Sequence, residues 1–506
     1  MKKTRFKTAK LNILTTLMSQ LIATVVGIVI PRVMIGAFGS AIYGLTTSIA
    51  QFLAYISLLE GGIGRVARGE FYRPLTEKND YEISRVYHAI KHLFSVVGIV
   101  FLCYTLALSF LYDDIVHIET VNQGTVSLLV WIISIGTVAK YLWGLPNLTL
   151  MNADQKQYIV NTVIMIATIL NAILIIVLTR LEINILIIKL VSSFVYILQP
   201  VCYAIYVKTH YQIIQVGKNC SQLKQKWTGI GQHIAYFLHS NTDIVLLTLF
   251  ADIRLVAVYN VYKLVVSSIR KIAGSFTGGM EAVFGELIAK KEKNTLKQAF
   301  WKYRHLLSVV TTILFGTTAV LILPFVKLYT EGITDADYLQ PGFAVILLLA
   351  EAIDCLIHPC SSLPISANKL KQTRWGSYGE ALINIGVSLS LMAWNPLLGV
   401  ALGTLCAAVF KSIFYMLYSA KEILKETVMA LMKNFVLSIF IVLLCLLIGL
   451  WLAQANLIEN ALHWIVSGFV AFSSTSVVTF CLYSWMYPND FPLLIVRLKK
   501  MGKSKM

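Results

Sequence analysis

Acidic residues are scarce in this chain: 25 Asp and Glu stand against 43 Lys and Arg in 506 residues, and all charged types together reach 13%. Soluble domains carry about 25% charged residues, so this sequence cannot cover a water-facing globular surface. Cysteine is present but unclustered. The eight residues Cys103, Cys202, Cys220, Cys355, Cys360, Cys406, Cys445 and Cys481 form no C-x-x-C pair, and no His cluster has zinc spacing. Zinc modules and dithiol redox motifs are thereby excluded, and the cysteines read as small core residues. A cleavable leader is not expected either. Lys2, Lys3, Arg5 and Lys7 resemble a signal n-region, but the apolar run behind them is long and lacks a small-residue cleavage site, so the first helix should be retained.

What the chain does have is apolar sequence, 57% of it, against the 45–50% typical of soluble domains. It divides into about fourteen apolar spans near 11–35, 42–63, 92–112, 124–147, 158–179, 183–206, 231–250, 255–276, 306–328, 342–363, 377–394, 397–419, 434–454 and 460–487. Each is long enough to cross a bilayer, which predicts an all-α polytopic membrane protein. The first two spans meet at the glycine-containing stretch Gly36-Ala-Phe-Gly39 and read as a membrane hairpin. A repeat is also expected, because Ala41-Ile-Tyr-Gly-Leu45 is echoed by Ala257-Val-Tyr-Asn-Val261, and Asn152-Ala-Asp154 by Ser366-Ala-Asn368, at offsets of 216 and 214. Internal duplication is a common construction of transporters.

A net charge of +18 raises the question of nucleic acid, and the distribution of the charge answers it. On this layout 33 of the 43 basic residues fall on one side, in the termini and in the loops at 64–91, 207–230 and 286–305 among others. The opposite side and its span ends hold Arg32, Arg180, Arg254 and Lys327 beside Asp113, Asp114, Glu119, Glu331, Asp335 and Asp337. That is the positive-inside pattern, and it predicts cytoplasmic termini, contact with membrane lipids and no nucleic acid. No outer loop exceeds about a dozen residues, so function is expected among the helices.

Charges inside spans are costly and mark polar interiors or pathways. Asp243 on span seven and Lys263 on span eight fall at one depth, about 18 Å above the inner end and 12 Å below the outer end of their spans. Two readings are open, a charge pair in a cavity and a structural salt bridge. Tyr259, Lys263, Ser267, Arg270 and Gly274 share one face of span eight, a cationic stripe suited to phosphate or pyrophosphate. Glu351, Asp354 and His358 share a face of span ten; they either carry protons or a cation, or act as counter-ions to the stripe. Arg32 and Glu60 lie near opposite membrane faces, and Lys140, Lys189 and Lys411 are expected to snorkel toward the interfaces.

The residues Pro31-Arg32 to Gly39, Tyr43-Gly44, Leu58-Leu-Glu-Gly-Gly-Ile-Gly64, Asn241-Thr-Asp243, Val258-Tyr259, Ala367-Asn-Lys369, Asn384 and Leu398-Gly-Val-Ala-Leu-Gly-Thr404 resemble the polysaccharide-transport branch of the multidrug, oligosaccharidyl-lipid and polysaccharide exporter superfamily. That branch includes the O-antigen flippases. The resemblance implies two six-helix bundles in a V around a central cavity, with two further helices at the C-terminal end. The expected divisions are 1–210, a linker at 211–228, a second bundle at 229–425, and 426–506. It implies a non-enzymatic carrier in the bacterial cytoplasmic (inner) membrane. This carrier would turn an undecaprenyl-pyrophosphate-linked oligosaccharide from the cytoplasmic to the outer leaflet by alternating access, for O-antigen (lipopolysaccharide) or capsule synthesis.

Lys263, Arg270, Arg32 and Tyr259 are the expected pyrophosphate-binding residues, and Asp243, Glu351, Asp354, His358 and Glu60 the expected ion-coupling or charge-pair residues. No cofactor or metal is expected beyond coupling to an H+ or Na+ gradient, and glycan-assembly proteins are expected partners. Two rivals remain. A cation-coupled drug antiporter of the same superfamily would keep the fold but favour an acidic cavity, whereas Lys263 and Arg270 favour an anion. A membrane glycosyltransferase or polymerase could use Asp113-Asp114 as an acidic metal motif, yet lacks the long outer loop.

Overall fold

The computed structural model describes residues 2–60, 63–116, 123–215, 230–275, 277, 280–455, 458 and 460–487. The linker at 216–229, with Cys220, and the basic tail after 487 lie outside them, along with the sidedness expectations they carry. All described regular structure is helical. In chain order the helices are α1 (Lys2–Ala54), α2 (Ser57–Glu60), α3 (Ile63–Glu77), α4 (Asp80–Ile115), α5 (Gln123–Ala139), α6 (Leu145–Ala153), α7 (Gln157–Arg180), α8 (Ile185–His210) and α9 (Ile230–Phe250). They continue with α10 (Ile253–Ser275), α11 (Met280–Ala289), α12 (Lys293–Tyr329), α13 (Pro341–Ser366), α14 (Leu370–Met392), α15 (Pro396–Tyr418), α16 (Val428–Gln454) and α17 (Ala461–Met486). A π-helical turn, Lys140–Gly144, joins α5 to α6, and another, Ser419–Leu424, extends α15.

The chain is thus an all-α multi-pass membrane protein. Ten helices among the described residues are long and apolar enough to cross a bilayer. α1 alone contains two of the expected spans. They are joined not by a four-residue turn but by Gly39, whose φ of 80° and ψ of 167° lie where only glycine sits without strain. α10 and α14 are less apolar, because they carry charged and polar side chains that serve the site below.

Two basic stretches that read as loops are helical. Residues 64–77 belong to α3, and 286–305 to α11 and the first turns of α12. Each pair turns on one left-handed lysine, Lys78 and Lys291, after which the next helix starts within two residues. Asn79 caps α4 by accepting from the Glu82 amide at 3.1 Å. The same device returns at Gln155 and Asn368, and both left-handed pairs are 213 positions apart. Backbone hydrogen bonds agree: Lys156 N donates to Met151 O, and Lys369 N to Pro364 O, each at 2.8 Å. α4 and α12 begin 213 positions apart, as do α7 and α14. The chain therefore contains one helix order twice, followed by α16 and α17.

Two compact units result, Met1–Phe237 with Ala251–Ala257, and Leu238–Phe250 with Val258–Met506. In unit 1, α1 packs on α7, and α5 on α4 and α8. In unit 2, α12 lies against α13, α16 and α17, and α14 against α15. Phe284, Phe300, Leu307, Leu363 and Leu431 belong to an apolar core of unit 2. Helix association in lipid relies on close packing of small residues. At Gly403 a Cβ would lie 2.7 Å from the Asn384 carbonyl, so only glycine lets α15 approach α14 this closely. Of the seven described cysteines, Cys355, Cys360 and Cys445 are buried. Cys103, Cys202, Cys406 and Cys481 are exposed on helix surfaces rather than in the core.

Candidate substrate and ion site

Unit 2 gathers most of the residues singled out in the sequence. One face of α10 presents Tyr259, Lys263 and Arg270, and α13 presents Glu351 and Asp354 to it. Glu351 takes both cations, with Lys263 Nζ 2.8 Å from Oε1 and Arg270 Nη1 2.8 Å from Oε2. Arg270 Nη2 reaches Asp354 Oδ2 at 2.8 Å, and Lys411 of α15 donates to Asp354 Oδ1 at 2.7 Å and to Glu380 of α14 at 3.0 Å. Three cations and three carboxylates alternate along one connected chain.

The exposures within this chain are unequal, and that decides its electrostatic character. The Lys263 and Arg270 side chains are 26% and 33% exposed, while Glu351 is 3% exposed. The carboxylate lies behind and the cations lie in front, so an approaching ligand meets positive charge first. Beside Arg270 is a cavity of about 120 Å³, lined in part by Gly274, Thr277, Asp354 and His358. His358 Nδ1 lies 3.1 Å from the Tyr303 hydroxyl.

Asp243 adjoins this ion chain through Tyr259, whose ring lies 5.9 Å from Lys263 Nζ. Tyr259 donates to Asp243 Oδ2 at 2.7 Å, and the Thr404 hydroxyl is 3.3 Å from the same oxygen. Asn384 Nδ2 in turn donates to Thr404 at 3.0 Å. The Asn384 side-chain oxygen and the Ser388 hydroxyl, both fully buried, have no hydrogen-bond partner among the described residues. Carboxylate, amide and hydroxyl oxygens thus gather where Gly403 brings α14 and α15 together. Such an all-oxygen set suits a hard cation rather than a transition metal. Among the described residues no three His, Cys, Asp or Glu groups are grouped to hold a metal.

Lys263 is therefore held by Glu351, and Asp243 by hydroxyls. Lys411 does not snorkel: its side chain is 16% exposed and held between two acids. Sequence reasoning missed it as a member of the site, together with Glu380. The signal available was charge balance, since Glu351, Asp354 and Glu380 needed a third cation beside Lys263 and Arg270. Arg32 and Glu60 belong to unit 1. Arg32 is half-buried on α1, and Glu60 accepts from the buried Tyr141 hydroxyl at 3.0 Å.

No family model matches the chain, and no curated protein matches it. Solved structures do. The lipid II flippase MurJ in an inward closed conformation aligns with a TM-score of 0.70 at 14% identity, over 94% of this chain and 98% of that one. An inward-facing MATE-family multidrug resistance transporter of the MOP superfamily aligns at 0.54 and 14% identity, over 81% and 96%. The MATE multidrug transporter DinF-BH aligns at 0.54 and 16% identity, over 82% and 95%. At these identities the likeness establishes the fold.

Proposed function

We propose that this protein is a flippase of the polysaccharide-transport type. It carries an undecaprenyl-pyrophosphate-linked oligosaccharide from the cytoplasmic to the outer leaflet of the bacterial cytoplasmic membrane by alternating access, for O-antigen or capsule synthesis, and is not an enzyme. Both termini are cytoplasmic on this reading, which rests on the basic asymmetry of the loops. One observation carries the proposal: two partly exposed cations, Lys263 and Arg270, share one buried carboxylate. A diphosphate has the charge and the oxygens to replace Glu351 as the bridge between them, and Arg270 offers it a two-pronged donor. The fold shared with MurJ, a flippase of lipid II, supports the same reading.

Coupling to Na+ or H+ is assigned to the oxygen cluster around Asp243. Its buried, unpartnered Asn384 and Ser388 oxygens favour a bound cation there. That cluster and the MATE-type fold also favour the second reading, a cation-coupled drug antiporter. The test is flipping of a labelled undecaprenyl-pyrophosphoryl oligosaccharide in proteoliposomes. Arg270→Ala should lose most flipping and Arg270→Lys should keep part of it. Full flipping by Arg270→Ala at equal reconstitution would remove the diphosphate reading and leave the antiporter.

A further inference from the structure

A cavity of about 340 Å³ in unit 1 lies among α5, the π-helical turn, α6, α7 and α8, and its lining contains one charged side chain, Lys140. Lys140 opens the π-helical turn Lys140–Gly144, a wide turn that often marks functional sites. It is the seventeenth of 30 residues in the membrane-crossing stretch Gly124–Ala153. About 20 Å of helix separates it from Ala153 and about 24 Å from Gly124. It thus sits near the middle of that crossing stretch, with its side chain exposed to the space beside the helix.

Four polar groups line this cavity without a protein hydrogen-bond partner among the described residues: the Lys140 ammonium, the Thr137 and Tyr203 hydroxyls and the Gln199 amide. Tyr203 is only 5% exposed. The lining also includes the apolar Ile133, Leu148, Ile164 and Pro200. One positive charge and three neutral polar groups in an otherwise largely apolar lining, midway along a crossing stretch, match an amphipathic anion. The described lining holds no carboxylate that could satisfy Lys140 within the protein.

We infer that this cavity is a second phosphate-lipid site: it holds the phosphate of a lipid-linked substrate on Lys140, with Thr137, Gln199 and Tyr203 as further donors, while the chain lies along the apolar walls. The inference rests on the reading of the protein as a carrier of lipid-linked phosphates. Placement midway along a crossing stretch favours a phosphate in transit over a resident phospholipid, whose phosphate stays at the surface.

The test measures lipid binding by native mass spectrometry of the full chain from neutral phosphatidylcholine nanodiscs, in a Lys263→Ala, Arg270→Ala background that disables the site in unit 2. Undecaprenyl phosphate should bind at least tenfold more tightly than undecaprenol. Lys140→Gln should weaken it about tenfold, and Lys140→Arg should restore it. Equal binding by Lys140→Gln and the background protein overturns the inference, as does equal competition by phosphatidylglycerol, which would make the occupant bulk anionic lipid. The flippase reading fails separately, if the background protein itself flips labelled oligosaccharide normally.

Discussion

Replacing Glu351 by glutamine keeps the shape of the α10–α13 contact and removes one negative charge from the centre of the ion chain. In the parent protein Glu351 satisfies Lys263 and one prong of Arg270 at 2.8 Å each. Glutamine can accept one of those hydrogen bonds and neutralises neither cation. Removing one partner of a fully buried pair costs about 3–5 kcal/mol. Here the cations are about a quarter to a third exposed, so water recovers much of that, and a loss of about 2 kcal/mol of stability is expected. The consequence for an anion runs the other way. Glu351 competes with the diphosphate for the same two donors, and its removal should tighten pyrophosphate binding about tenfold, a change of about 1.4 kcal/mol. Turnover should fall, because the anion is no longer displaced by a returning carboxylate. The assay is thermal unfolding of purified protein in detergent across a pyrophosphate titration, beside flipping in proteoliposomes. A folded Glu351→Gln protein with unchanged or weaker pyrophosphate affinity would refute competition at this site.

Asp243→Asn should abolish any stabilisation that Na+ gives over K+ in the same unfolding assay, since the cluster with Thr404 and Asn384 loses its one carboxylate; an intact Na+ effect in the variant would move the cation elsewhere. Topology is checked by single cysteines in a background free of the native ones. Labels at Thr76 and Asn294 should react only from the cytoplasmic side and at Thr334 only from outside, and labelling of Thr76 and Thr334 from one face would overturn the layout.

Much of this was legible in the sequence, and the limits have physical causes. Apolar run length fixes where a helix can cross, so the multi-pass layout emerged directly, with ten crossing helices among the described residues against about fourteen expected spans. The duplication showed only as short echoes at offsets of 216 and 214, a few residues off the 213 at which the helices repeat. Helical periodicity placed Lys263 with Arg270, and Glu351 with Asp354, on single faces. Which faces meet is a tertiary matter: depth alone placed Asp243 near Lys263, and packing adds Glu351 as the direct partner at 2.8 Å, with Tyr259 between Lys263 and Asp243. Lys411 illustrates the same gap. A lone lysine in an apolar helix has snorkelling as its local solution, and only the approach of α13 and α14 supplies the acids that hold it. The basic stretches at 64–77 and 286–305 hid their helices because charge lowers apolar content without lowering helix propensity. The left-handed turns at Lys78 and Lys291 carry no glycine to announce them.

The duplication provides a comparison within one chain. Unit 1 builds α5, α6 and α7 in the same order as α13 and α14, and between residues 123 and 180 its only acidic residue is Asp154, outside any helix. The helix order therefore forms without an ion chain. In unit 2 the corresponding helices α13 and α14 carry three carboxylates, joined by three cations from α10 and α15, where desolvation makes such chains neutral or costly relative to apolar packing. Stability does not account for them, since the first copy does without. An arrangement that the fold does not require, placed so that its cations are the more exposed partners, is explained by a ligand that competes for those cations, and a diphosphate is the ligand whose charge and geometry fit both at once.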